Sequence, residues 1–428
     1  MSLRILGPIV VLFLLSAREE MYASQPDTVS VVLAQVEARF LQNNLQLLSG
    51  RLNVDAAHAA IVQAKLWNNP NLSIEQNVYN PQTKQYFDFT RDGNTEVQIQ
   101  QLFVLAGKRG KQVRLAEINA DVAEQTLYDL LRSLRYELRT DFYDLHFLQQ
   151  SLRFYVESIS ALRRTVESTE SILEKRSILL SEVLRVKSLL FSLENEQLGL
   201  LNRVNQIQWD LHVLLHDTTT AYYIPQVDRK ALDEMSAETL TMARVIDLAQ
   251  QTRPDLKVAD ANVRSAETTL ALNKALAIPD VTLGGRWSRA GSYIPDYFAI
   301  SVAVDLPIFN RNQGIIRQSE LGLEESKAML ANTASALEKD VATAYGTAVS
   351  TDRMYKGLDR RFTGQYQQLV GGMIKTFENR NISVIQFTDF FESYRTSIVQ
   401  MNQLQNDRID AFEGINYVTG TSVLGPQQ

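Results

Sequence analysis

Phe298–Ala299–Ile300–Ser301–Val302–Ala303–Val304–Asp305–Leu306 alternates large apolar residues with small or polar ones. Neighbouring side chains of a strand point to opposite faces, so one face here is wholly apolar and the other carries Ala299, Ser301, Ala303 and Asp305. Just upstream, Val281, Leu283, Gly285 and Trp287 alternate with Thr282, Gly284, Arg286 and Ser288, which predicts a second strand. Arg289–Asp296, with Gly291 and Pro295, reads as the loop between them. A helix over about Thr239–Leu276 precedes the pair and stops before Pro279. A long helix over about Gln313–Lys375 follows, then a turn around Asn379–Arg380 and a final helix to about Thr419.

The first half has the same plan. A helix over about Ser30–Trp67 is broken at Pro70, Asn71–Tyr79 alternates as a strand, and Asn80–Asn94 is a loop. Val97 and Ile99 mark the second strand. Helix then runs from about Lys108 to Ile172, with a turn near Arg176 and a returning helix over about Leu179–Leu215. Along the long helix Leu127, Leu131, Leu134, Leu138, Phe142, Leu145, Leu148 and Leu152 step by three or four, the period of a coiled-coil seam. At 1.5 Å per residue it would be roughly 100 Å long, far longer than a small domain is wide.

The correspondence extends to residues. Leu66–Trp67–Asn68–Asn69–Pro70–Asn71–Leu72 parallels Ala275–Leu276–Ala277–Ile278–Pro279–Asp280–Val281 at an offset of 209. Leu173–Glu174–Lys175–Arg176–Ser177–Ile178 parallels Phe377–Glu378–Asn379–Arg380–Asn381–Ile382 at an offset of 204. Matches in the same order at near-constant spacing indicate duplication. The chain divides into residues 1–23 as a signal peptide, 24–217 as a first repeat, 218–238 as a linker containing Pro225, 239–420 as a second repeat, and 421–428 as a tail.

Composition narrows the class. The chain has 428 residues, a net charge of −6 and no cysteine. Absence of cysteine removes disulfides, thiolate metal sites, Cys nucleophiles and Cys lipidation. The acidic balance argues against a nucleic-acid binder, which needs a basic surface. Ile5–Leu15 is an apolar run behind Arg4, too short to span a bilayer but suited to an export signal; a buried N-terminal segment is the other reading. No later run is long and apolar enough for a membrane helix, so any membrane span would be a β-barrel. Four strands cannot close one, because the smallest barrels have about eight. Three chains would supply twelve strands, with Trp287, Tyr293 and Tyr297 near a girdle or outer loop. The alternative is a soluble hairpin packed on helices.

At this point the chain resembles the TolC-type outer-membrane efflux proteins, over essentially its whole exported length. Gln101–Leu102–Phe103–Val104–Leu105–Ala106–Gly107–Lys108–Arg109 and Leu306–Pro307–Ile308–Phe309–Asn310–Arg311–Asn312–Gln313–Gly314 are similar to the strand-to-helix junctions of the cobalt–zinc–cadmium and copper–silver efflux subfamilies. The resemblance implies a mainly α fold with a small β part. A long α-helical coiled-coil barrel would carry four strands per chain, joined in a trimeric twelve-stranded transmembrane β-barrel. It further implies an outer-membrane homotrimer in contact with lipid, with its helical tunnel in the periplasm. Its partners would be a periplasmic adaptor and an inner-membrane pump of the RND type. The expected function is passive export of heavy-metal cations. Drug efflux or type I protein secretion is an alternative cargo, and a soluble periplasmic coiled-coil scaffold is an alternative of another class.

Two regions hold the candidate residues. At the junctions, Gly107 and Pro307 stand where strand turns into helix, with Arg311 beyond Pro307. Lys108, Arg109, Lys111 and Arg114 form a basic cluster that reads either as an anchor at phospholipid headgroups or as a solvated helix start. At the helix-to-helix turns, the resemblance places Arg176 and Arg380 at the turn positions, Gln386 and Asp389 at two gate-carboxylate positions, and Glu182 at an acidic position that holds the closed tip. Gln386 departs from the acidic pattern, and Phe377 replaces the tyrosine that partners Glu182. Asp389 and Glu182 also read as ordinary solvated helix residues. His212 and His216 are four apart on a helix, but no third ligand is near and the spacing lacks the Glu of H-E-x-x-H. No metal site, cofactor or catalytic constellation is expected; the sequence holds no P-loop, dinucleotide glycine motif or nucleophile elbow.

Overall fold

Helix α3 (Lys108–Glu174) runs 67 residues without interruption, about 100 Å at 1.5 Å per residue. It is the spine of the computed structural model, which describes residues 28–176, 178–290, 294–358, 372–373, 376–377 and 381–425. Helix α4 (Leu180–Leu215) returns along it. In the second half α8 (Gln313–Lys356) and α9 (Val384–Thr419) lie in the corresponding places. The apolar seam of α3 is what these helices bury: Leu134, Leu138, Phe142, Leu145 and Leu148 pack with Val204, Ile207, Leu211, Phe412 and Ile415. A second cluster, with Tyr155, Ile159, Val186, Leu193, Phe387 and Phe391, lies toward the helix-to-helix turns. No described helix is long and apolar enough to cross a membrane.

The strands β2 (Asn71–Gln76), β5 (Thr95–Phe103), β7 (Val281–Ser288) and β8 (Tyr297–Val304) form one antiparallel sheet in the order β2-β5-β7-β8. The sheet is open, with β2 and β8 at its edges. Strands β3 (Tyr79–Asn80) and β4 (Gln85–Tyr86) make a small hairpin in the β2–β5 loop.

Three features depart from the sequence reading. The first predicted helix begins as a strand, β1 (Thr28–Val32), which pairs in parallel with β6 (Tyr222–Gln226) of the connecting segment. The rest of it is two helices, α1 (Leu33–Asn43) and α2 (Leu45–Ala64), parted at Asn44. After the short α5 (Arg229–Glu234) and a 3₁₀ turn, the helix predicted over 239–276 is likewise two, α6 (Met242–Thr252) and α7 (Pro254–Leu276), parted at Arg253. Asn44 and Arg253 have the same backbone, φ −62° and ψ 122°. Asn44 caps α2 through Leu47 N–H and donates Nδ2 to Leu214 O at 2.9 Å. In the second half Pro254 occupies the first helical position, where a missing N–H costs nothing.

Candidate functional site

The strand register sorts the sheet into two chemistries. Leu72 and Ile74 stand opposite Ile99 and Val97, which continue across to Gly285 and Trp287, and these to Ile300 and Phe298. One face therefore carries Leu72, Ile74, Ile99, Leu283, Phe298, Ile300 and Val302, and it lacks cover: Ile300 is 89% exposed. The other face carries Ser73, Glu75, Glu96, Gln98, Gln100, Arg286 and Ser301, with Arg286 Nη1 3.5 Å from Glu96.

At the first junction, Ala106 and Gly107 both take positive φ, 54° and 66°. Gly107 is the residue type that does so without strain. The turn aims Lys108 inward rather than into solvent or headgroups. Its Nζ donates to Asp280 Oδ1 and to Ile278 O, each at 2.6 Å, and the residue is 3% exposed. Asp280 also accepts Leu105 N–H at 2.8 Å. Burial alone would raise the Asp280 pKa; the bonds from Lys108 and Leu105 hold it below the usual carboxylate range. Lys111 turns back to Ala106 O at 2.8 Å. Of the basic cluster, Arg109 and Arg114 keep contact with the surface: Arg109 stacks on Trp67 at 4.4 Å, and Arg114 lies 3.5 Å from Glu117.

At the second junction the left-handed residue is Asn312, φ 61° and ψ 17°, against φ 66° and ψ 21° at Gly107. Pro307 lies five residues earlier and is not the counterpart of Gly107. Asn312 donates Nδ2 to Asn273 O at 2.8 Å, and the exposed Arg311 donates its backbone N–H to Gln313 Oε1 at 2.8 Å.

At the tip, Arg176 closes α3 in the left-handed region, φ 56°, its N–H bonded to Leu173 O at 2.8 Å. Arg380 lies outside the described residues. Glu182 reaches back to Leu179 N–H at 3.0 Å. Gln386 does the same to Ser383 N–H at 3.0 Å, while Ser383 Oγ accepts Gln386 N–H at 3.2 Å. Both residues thus serve as the third-position member of a helix cap, which occupies their side chains. Asp389 is exposed and accepts from Arg185 Nη2 at 3.2 Å, while Arg185 Nε donates to Thr388 Oγ1 at 3.1 Å. Phe377 stacks on Phe387 at 4.6 Å. Arg185 carries no local signal in the sequence, because its partners are about two hundred residues away.

The structure also groups residues that no motif announced. Asp141 and Asp144 of α3 lie near Asp210 of α4 and Asp407 and Asp410 of α9. Asn406, 6% exposed, donates Nδ2 to Asp144 and, at 3.4 Å, to Asp410. A nearby cation is Arg203, 3.8 Å from Asp144. Among the described residues, Asp141 Oδ2, Asn406 Oδ1 and Asp410 Oδ1 are buried acceptors with no donor. Burial, reinforced by Asp210, Glu137 and Asp144, pushes Asp141 up to about 7. Burial, with Asp144, Asp407 and Glu413, pushes Asp410 up to about 8. Among the described residues no group of three His, Asp or Glu is placed to hold a metal ion. His212 has both ring nitrogens against carbonyls, Asp217 O at 3.2 Å and Ala221 O at 2.8 Å, so it does not join His216 as a ligand pair.

Comparisons with known proteins bear on the family and the fold. The family described as outer membrane efflux protein matches residues 38–215 and 245–367. No curated protein matches the sequence. Among solved structures, the chain is similar to CusC (TM-score 0.71, 15% identity, 91% of this chain and 92% of that one). It is similar also to the CmeC outer membrane channel of Campylobacter jejuni (0.73, 12%, 91% and 85%) and to the outer membrane protein VceC of Vibrio cholerae (0.70, 17%, 91% and 96%).

Proposed function

This chain belongs to the outer membrane efflux protein family, whose members are channels and not enzymes, and on that footing we propose that it is the exit duct of a tripartite system exporting heavy-metal cations. Three copies join their open sheets edge to edge, β8 of one to β2 of the next, into a twelve-stranded barrel in outer-membrane lipid. The helices extend it through the periplasm to an adaptor and an RND-type pump. The observation that carries this is the two-faced sheet: Leu72, Ile99, Leu283 and Ile300 on one side, Gln98, Gln100, Arg286 and Ser301 on the other. A barrel needs apolar residues toward lipid and polar ones toward its lumen.

The metal assignment rests on the two junction sequences. The duct itself needs no metal ligand, because the pump selects cargo. Its part is shape and charge, at the sheet lumen and at a tip whose turns carry Asp389, Gln386, Glu182 and Arg176. The test is deletion of the gene in a background lacking other ducts. Sensitivity to metal cations should rise more than sensitivity to dyes or detergents, and return on complementation. Unchanged metal tolerance with increased dye sensitivity would move the cargo to hydrophobic drugs.

A further inference from the structure

A cavity of about 520 Å³ opens where α2 ends and α3 begins. Leu66, Trp67 and Val104 line its upper part, and Arg109, Arg114 and Glu117 line the part further along α3. Trp67 is 62% exposed, with the Arg109 guanidinium stacked on its ring and held there by Nε donation to Lys65 O at 3.1 Å.

The side on which this cavity lies can be read from the sheet. Gln101 shares its strand face with Val97, Ile99 and Phe103, the apolar face, since side chains two apart point the same way. Its Nε2 donates to Asn68 O at 2.9 Å. The Asn68 carbonyl therefore lies beside the apolar face at the strand end, where Gln101 Nε2 also donates to Leu102 O at 2.9 Å. Each residue along α3 moves about 1.5 Å away from the strands. The order outward is thus apolar wall, then Arg109, then Arg114, then Glu117.

We propose that this cavity is a binding site for a zwitterionic phospholipid with an ethanolamine headgroup. The phosphate lies between the Arg109 and Arg114 guanidiniums, and the ammonium meets the Glu117 carboxylate. The acyl chains rise past Leu66, Trp67 and Val104 onto the exposed apolar strands. Two cations followed by one anion match phosphate followed by ammonium; an anionic glycerol headgroup brings no cation to Glu117, whose partner Arg114, 3.5 Å away, is then shared with the phosphate. Lys108 and Lys111 take no part, because they are spent on Asp280 and on Ala106 O, whereas Arg109, bonded to Lys65 O through Nε and Nη2, presents Nη1 to the phosphate. The site rests on the apolar face meeting lipid, a reading that fails separately if membrane insertion ignores that face.

Gly110 provides the test that spares the fold. It lines the cavity, and a Cβ placed there meets nothing within 4 Å. Full-length protein is purified from outer membranes in detergent, and phosphatidylethanolamine and phosphatidylglycerol are added separately and counted by native mass spectrometry. Wild type should retain phosphatidylethanolamine at least fivefold better than phosphatidylglycerol. Gly110→Phe should lose most of it, Glu117→Gln should abolish the preference between headgroups, and Arg114→Gln should weaken both. Equal retention of the two lipids by wild type, or undiminished retention by Gly110→Phe, overturns the proposal. Displacement of the lipid by millimolar inorganic phosphate also overturns it, by making the site one for free phosphate. As a second readout, in protein with Trp209 and Trp287 changed to Phe, headgroup-labelled phosphatidylethanolamine should quench Trp67 in wild type and not in Gly110→Phe. Equal quenching in both would sink the site.

Discussion

Arg185 Nη2 lies 3.2 Å from Asp389 Oδ1, joining α4 of the first half to α9 of the second. An exposed pair of this kind contributes about 0–1 kcal/mol to stability. Its effect on charge is larger. Three Asp389 carboxylates around an axis would favour cations, but three paired Arg185 cancel them. Removing the arginine should therefore matter more for selectivity than the carboxylate alone suggests. Arg185→Gln should shift the reversal potential in a KCl gradient toward cation selectivity, and Asp389→Asn toward anions. Identical potentials in both variants, with assembly intact, would place the pair away from the conduction path.

The Lys108–Asp280 pair is a different case, because Lys108 is buried. Removing one partner of a buried pair leaves the other charge without compensation. Asp280 keeps some solvent contact, so the loss should be below the usual range for buried pairs, about 2 kcal/mol. Asp280→Asn should lower the midpoint of urea unfolding, and Lys108→Met should recover part of it in the double variant. Additive losses in the double variant would show that the two residues act independently.

Asp141 and Asp410 give the helical region a pH dependence with a definite sign. Their pKa values, about 7 and about 8 in the folded chain, exceed the ordinary 3.8. Between about pH 4 and pH 8 the folded state holds more protons than the unfolded one, so stability falls as pH rises through that window. Below it both states are protonated and the penalty is absent; above it the full penalty applies. Asp410→Asn keeps the shape without the charge. It should stabilise the protein by about 2 kcal/mol at pH 8 and flatten the slope of thermal midpoint against pH. A variant with the wild-type slope would mean that Asp410 is not the proton holder.

The readable parts of the fold are those whose signal is local. The α3 seam and the alternation in β7 and β8 repeat within a few residues, and both survive close to their predicted bounds. The parts that escaped depend on distant partners. β1 is five residues whose strand state comes from pairing with β6, nearly two hundred residues on. Asn44 breaks a helix without Gly or Pro because its side chain caps the next one. At the second junction Pro307 is the conspicuous residue, since it fixes φ, but the turn needs a left-handed residue and Asn312 supplies it. At the tip, the helix-cap role of Gln386 could have been read from Ser383 three residues before it, the pattern of a capping box, whereas that of Glu182 could not, because Leu179 offers no capping side chain. The burial of Lys108 could not, because Asp280 is set beside it by the β5–β7 register.

Ile300 and Ser301 are neighbours on β8 that point to opposite faces, so they test the membrane reading with a single chemistry at two adjacent positions. Ile300 stands opposite Gly285 on the apolar face, and Ser301 opposite Gly284 on the polar one. An arginine toward lipid costs about 2–4 kcal/mol at the bilayer midplane, whereas one toward a water-filled lumen costs little. Ser301 Oγ lies 2.5 Å from where a Gly284 Cβ would sit, so the glycine leaves room for a longer side chain at 301 to turn into the lumen. Ile300→Arg should sharply reduce heat-resistant assembly in the outer-membrane fraction. Ser301→Arg should assemble normally and, in planar bilayers, reduce conductance and shift selectivity toward anions. Equal assembly of both variants would mean that the apolar face is covered by protein instead of lipid, and the barrel assignment would fall with it.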